Sequence, residues 1–227
     1  MPQETTEIGA TQADAPRRGR PPSLDKRASI LEAASTLFLR DGFDRTSIEA
    51  VASVAHVSKP TVYSHYEGKE DLFRAVVEAA RVQLPGPPMT ANGVLLAPDD
   101  LEQSLIAVGR WFVGILLAPR IAALRRLVIS EIARRPELET LWTAGEPDRF
   151  RTALARDIQY LSERGVLSVG NAPRAVDQLI SLLAHPTYAK TLYGMHQLTS
   201  AQETEIVTSA ASFFLDAYLV RDPLKPR

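Results

Sequence analysis

The chain has 227 residues, 45% hydrophobic and 23% charged, with a formal net charge of −1, so it can bury a sizeable core in one or two domains. It has no cysteine, which excludes disulfides, zinc–thiolate sites and thiol redox sensing. The N-terminus lacks the apolar run of a signal peptide, and the longest apolar stretch, Trp111 to Ala118, falls far short of a membrane span, so a cytoplasmic protein with no membrane partner is expected.

Residues 1–22 form the first segment. Its first sixteen residues carry three acids and no base, and Arg17-Arg18-Gly19-Arg20-Pro21-Pro22 follows, a composition that predicts a disordered arm. Arg17, Arg18 and Arg20 flank a glycine and precede a proline, as in the core of an AT-hook, whose extended arginines enter the narrow minor groove of A·T-rich DNA. A basic solubilising tail has the same composition. The near-neutral net charge hides a local excess: Arg17 to Arg27 holds Arg17, Arg18, Arg20, Lys26 and Arg27 against Asp25 alone.

Residues 23–84 are expected to fold as a helix-turn-helix domain with its connecting helix. Ser23 is a suitable cap for a helix from about Leu24 to Gly42, with Ile30, Ala34, Leu37 and Phe38 facing inward. Thr46 followed by Glu49 reads as a capping box opening a second helix, whose Ile48, Val51, Ala52 and Ala55 form one apolar stripe. The break falls at His56-Val57-Ser58, where Ser58 is a good N-cap and Pro60 is tolerated in the first turn of the next helix. Val62 and Tyr66 then share an inner face, while Thr61, Ser64 and His65 project oppositely with Tyr63 on the flank. From Val54 to Tyr66 there is no Asp or Glu, and Lys59 stands at the helix start, so nothing in that stretch repels a phosphate backbone. A merely solvated helical face is the alternative. A fourth helix, roughly Lys69 to Leu84, turns Leu72, Phe73, Val76, Val77 and Ala80 to one side, and Pro85 begins a loop over residues 85–99.

Residues 100–227 make the last segment, with helices expected near 100–117, 119–135, 147–164, 172–184 and 200–220, bounded by Pro119, Pro136, Pro147, Gly165 with Gly170, and Pro186. No window alternates with a period of two, so the protein is expected to be all-α, a three-helix DNA-binding domain followed by a helical bundle. Trp111, Phe112, Trp142, Phe150 and Tyr160 gather aromatic area that suits either an effector pocket or a plain core. Arg120, Arg125, Arg126, Arg134 and Arg135 can meet an anionic effector or line a salt-bridged face. Val176, Leu179, Ile180 and Leu183, with Ile206, Ala210, Phe213, Phe214, Ala217 and Tyr218, form two apolar faces that can build a four-helix homodimer interface or pack within one subunit. His56, His65, His185 and His196 lack metal-ligand spacing, and no nucleotide-binding loop or nucleophile elbow is present; no metal, cofactor or enzymatic activity is expected.

Several of these features recur together in one family. Ile30-Leu-Glu-Ala-Ala-Ser-Thr-Leu-Phe38, the Asp41-Gly42-Phe43 break, Thr46, Ile48, Ala52, Val57-Ser58-Lys59, Tyr63-Ser-His-Tyr66 and Lys69-Glu70-Asp71-Leu72 form an ordered set over about fifty residues. The segment from about Leu24 to Phe73 thereby resembles the DNA-binding domain of TetR-family transcriptional regulators. His56 stands where that family usually has glycine, and Tyr66 where phenylalanine is commoner. The resemblance implies DNA contacts at Thr46, Ser58, Lys59, Thr61, Tyr63, Ser64, His65 and Lys69, with Tyr63, His65 and Lys69 mainly on phosphates and Lys59 and Thr61 nearer base edges. Pro119 to Leu138, with Gly165-Val-Leu167, is similar to the AefR-like class of regulatory domains. That implies effector binding and dimerisation: a repressor that a small molecule releases from its double-stranded operator. A constitutive DNA-binding protein without an effector is the first alternative, and an all-helical enzyme the second.

Overall fold

The computed structural model describes residues 24–82, 86–89, 95–138 and 146–220. Nine α-helices lie among the described residues: α1 (Leu24–Asp41), α2 (Ile48–Val54), α3 (Lys59–Tyr63), α4 (Lys69–Val82), α5 (Leu101–Leu117), α6 (Pro119–Glu131), α7 (Glu146–Glu163), α8 (Ala172–Thr191) and α9 (Ser200–Tyr218). The only extended pairing among the described residues is an isolated antiparallel bridge between Leu167 and Leu219, so the fold is all-α as expected. The Arg17–Arg20 arm, the Ser23 cap and Trp142 lie outside the described residues.

The N-terminal head, α1 to α4, closes around three aromatic rings. Phe38 stacks on Phe43 at 5.6 Å, and Phe73 meets both edge-on at 5.0 and 5.2 Å. Every inward residue expected of α1, α2 and α4 is buried. The start of α2 differs from expectation. Gly42, at φ +83, turns the chain back after α1, and the Thr46 hydroxyl donates to the Gly42 carbonyl at 2.8 Å, leaving Thr46 only 3% exposed. Ser47 is the N-cap instead, accepting the Ala50 amide at 3.1 Å. Closing the loop takes the hydroxyl that a Thr46 cap would need, and it moves Glu49 from the third helical position to the second.

The second core joins α5, α7, α8 and α9 through Leu105, Leu154, Ile158, Leu179 and Phe214, among others. Buried Asp157 of α7 accepts the amides of Leu95 and Leu96, which pins the chain ahead of α5 and satisfies the carboxylate. Helix α6 does not share that core. Ile121, Leu124 and Val128, with Leu138 beyond it, pack among Ile30, Phe38, Leu72 and Phe73 of the N-terminal head. The expected division at residues 85–99 is thus not a division between cores.

Two further boundaries move. Helix α6 stops at Glu131 rather than 135: the Arg134 amide turns to the Glu131 carbonyl at 2.9 Å, a tighter turn than the α-helical one, and Pro136, which has no amide, follows. Helix α8 runs through Pro186 to Thr191 instead of ending near 184. Proline removes one backbone donor and costs about 3 kcal/mol inside a helix. Burial on both sides of it offsets that cost: Leu183, Thr187 and Thr191 are all buried, and both threonine hydroxyls donate to carbonyls one turn back.

Candidate nucleic-acid interface

Helices α2 and α3 meet at a turn that fixes their crossing. The Val57 amide donates to the Ala52 carbonyl at 3.0 Å and the His56 amide to Ser53 at 3.2 Å, the paired bonds of a Schellman motif. His56 occupies its left-handed position at φ 54. Histidine enters that region less readily than glycine, and the two bonds hold it there. Ser58 then caps α3, accepting the Thr61 amide at 3.3 Å, and its hydroxyl lies 2.8 Å from that of Thr61. Val62 and Tyr66 fasten α3 to the core, and burial pushes the Tyr66 phenol up. Helix α3 ends at Tyr63; Ser64 is its C-cap, and His65 falls in the following turn.

The outward side chains are Lys59, Tyr63 and Ser64, with Thr61 half-buried beside them. Tyr63 is 49% exposed, and the Lys59 ammonium stands 5.9 Å from its ring centroid. Thr46, by contrast, is turned into the head and offers no side-chain surface to a ligand. His65 is half-buried, and its Nε2 is buried without a hydrogen-bond partner. Lys69 lies at the head of α4, donating to the carbonyls of Asp44 and Thr46 at 3.2 and 3.0 Å, with its ammonium 4.5 Å from the Phe43 ring centroid. It therefore braces the α1–α2 loop.

The fold also brings in a carboxylate that the sequence separated by ten residues. Glu49 of α2 forms an ion pair with Lys59 at the start of α3. The ammonium holds the Glu49 carboxyl below its ordinary range, and the carboxylate raises the Lys59 ammonium. Sequence reasoning missed Glu49 at this surface because it assigned the side chain to a capping box. The second-position placement that follows from a Ser47 cap leaves it exposed.

The description "Bacterial regulatory proteins, tetR family" matches residues 30–76, and "AefR-like transcriptional repressor, C-terminal domain" matches residues 103–220, more than half of the chain. The chain belongs to the TetR family. The DNA-binding transcriptional repressor TetR of Mycobacteroides abscessus is 39% identical over 54 residues, 24% of this chain and 28% of that protein. The transcriptional repressor BepR of Brucella suis is 24% identical over 204 residues, covering 75% of this chain and 97% of the repressor. Among solved structures, a TetR-family regulator from Mesorhizobium loti superposes with a TM-score of 0.71 at 27% identity, over 87% of this chain and all of that one. The flavonoid-responsive regulator FrrA gives 0.70 at 27% identity, over 87% and 98%.

In this TetR-family chain the C-terminal part gathers some of the residues expected of a pocket. Trp111 and Phe112 of α5 meet Phe150 of α7 at 4.7 and 6.0 Å. Tyr160 does not join them; it is exposed, and the Arg164 guanidinium lies 5.7 Å from its ring centroid. The five arginines serve the fold. Arg120 pairs with Glu32 at 3.0 Å, and Arg134 and Arg135 hold Asp44 at 3.7 and 2.7 Å, which keeps its carboxyl below the ordinary range. Buried Arg125 donates to the Leu116 carbonyl at 2.9 Å and lies 5.0 Å from the Tyr188 ring centroid. Arg126 donates to the carbonyls of Tyr193 and Gly194.

Most of the expected dimer residues are already covered within the single TetR-family chain. Val176, Leu179, Ile180, Leu183, Ile206, Ala210 and Phe214 all belong to the second core, because the wider apolar face of α8 and α9 is the one that packs inward. Phe213, 61% exposed, and Ala217 remain on the outside. They border a groove of about 830 Å³ between α8 and α9, with Leu182, His185 and Tyr218 among its lining residues.

Proposed function

We propose that this protein is a cytoplasmic, sequence-specific repressor that binds its operator as a homodimer and is released by a small-molecule effector. The observation that carries the reading is α3: a helix held by a fixed turn and two buried anchors, presenting Lys59, Thr61, Tyr63 and Ser64 outward. One such helix reaches few base pairs, and a two-fold dimer doubles the site. The basic arm at Arg17, Arg18 and Arg20 adds contacts along the adjoining DNA.

Selection from a randomised duplex pool, followed by mobility shift, tests the reading. Tyr63→Ala is expected to weaken binding roughly tenfold on operator and non-operator duplexes alike, with an unchanged salt slope, because a phenol on a phosphate releases no counterion. Removing residues 1 to 22 is expected to lower the salt slope by about one to three, roughly 0.9 for each arginine that had met a phosphate. A wild-type protein that selects no motif would end the proposal.

The outer face of α8 and α9, where Phe213 and Ala217 border the groove, is the dimer surface in this reading. Phe213→Glu is expected to raise the dimer dissociation constant by about 30-fold or more, read by light scattering across a dilution series. A wild-type chain that stays monomeric at micromolar concentration would refute this surface. The aromatic group of Trp111, Phe112 and Phe150 suits a flat apolar effector. The similarity to a flavonoid-responsive regulator supports that chemistry. Release follows if the effector favours a subunit arrangement whose reading heads no longer match the operator spacing. Thermal-shift screening of planar phenols, followed by operator titration, checks it; a ligand that stabilises the protein without changing operator affinity counts against release.

A further inference from the structure

The Glu49–Lys59 pair is in an unusual place for an ion pair. It joins two different helices at the surface where DNA is proposed to sit, and the side chains are 60% and 47% exposed. A pair this open to solvent adds little to folding and exchanges partners readily. It also sets an acceptor-only group beside a donor-only group, with the Tyr63 ring next to the ammonium.

Base pairs differ in how they match such a couple. Guanine offers two neighbouring acceptors, N7 and O6, which suit an ammonium with three donors, and its paired cytosine offers the N4 amino group, which suits a carboxylate. An A·T pair also offers an amino donor, adenine N6, but it stands between two single acceptors, so an ammonium beside it meets one acceptor where guanine gives two. Where no such match exists, the carboxylate faces the phosphates with nothing to accept from, and binding is penalised.

We infer that Glu49 is a specificity-determining residue: together with Lys59 it forms a composite reader that selects a C·G pair in each half-site. Glu49 accepts from cytosine N4 and Lys59 donates to guanine. This rests on the proposed operator binding through α3, taken here with its outward side chains in the major groove. Glu49 thereby weakens binding to non-operator DNA while permitting it at the matched site.

Pool selection with the wild type, Glu49→Gln and Glu49→Ala, followed by titration of single-pair variants of the selected duplex, tests the inference. The wild type is expected to require a C·G pair at one position of each half-site, where exchange for T·A costs roughly 5- to 150-fold. Glu49→Gln is expected to move that preference toward adenine, since a carboxamide pairs with adenine N6 and N7, and Glu49→Ala to lose it. Both variants are expected to bind non-operator duplex a few-fold more tightly than the wild type at low salt. Glu49 is exposed, so both variants are expected to unfold thermally at the wild-type temperature, which excludes a folding defect. If the wild type selects a motif and both variants keep every preference in it, the inference is overturned and the DNA-binding proposal stands. If the wild type selects none, the DNA-binding proposal itself has failed.

Discussion

Replacing Leu124 by alanine is expected to cost about 2–5 kcal/mol, the usual range for emptying a fully buried leucine site, and the loss should fall on the reading head. Leu124 sits in α6, well past the loop that follows α4, yet it has no exposed surface and packs in the core that holds Ile30, Phe38 and Phe73. Denaturant unfolding gives the size of the loss, and amide exchange gives its location. Protection along α1 and α4 should fall more than along α8 and α9. Leu161→Ala is the matching control, since Leu161 is equally buried in the second core; its loss should loosen α7 to α9 first. Unchanged protection of α1 and α4 in Leu124→Ala would mean that α6 does not support the head.

Gly194→Ala is expected to be nearly as damaging, through backbone and contact together. Gly194 has φ +81 and ends a run of three left-handed residues with Leu192 and Tyr193. A β-carbon there would stand 2.6 Å from the Ala122 methyl of α6, closer than carbon atoms pack. The conformation costs an L-residue about 1–2 kcal/mol, and the overlap adds about 1–3 kcal/mol. Forcing the turn away from α6 would also stretch the bonds that Arg126 makes to the carbonyls of Tyr193 and Gly194, at 3.0 and 3.1 Å. Urea titration of Gly194→Ala, Ala122→Gly and the double variant separates the two causes. The double variant should recover the overlap but not the backbone cost. If it is no more stable than expected from adding the two single losses, the contact with Ala122 is not what excludes a side chain.

Local pattern made the reading head legible. The stripes Ile30-Ala34-Leu37-Phe38 and Leu72-Phe73-Val76-Val77 repeat at helical spacing, and each has one way to turn inward. Ser58 and Pro60 marked the start of α3 because their preferences are set within a few residues. Where two neighbours had the same preference, the sequence could not choose. Thr46 and Ser47 are both good caps, and the return of the chain at Gly42 decided between them. Pro186 looked like a stop because the burial of Thr187 and Thr191 beyond it depends on distant helices. Phe213 and Phe214 are adjacent and equally apolar, yet one lies in the core and the other in solvent. Glu49 went unnoticed at the candidate interface because a capping role already accounted for its side chain and its actual partner is ten residues away on another helix.

The placement of Ile121, Leu124, Val128 and Leu138 in the head's core bears on how this protein could be re-engineered. Exchanging the head between regulators requires a junction that keeps its core whole. Here a graft cut within residues 85–99 would take the recognition helix but leave behind four side chains of its own foundation. A transplant that keeps the head intact needs its junction beyond Leu138, with α6 travelling as part of the reader.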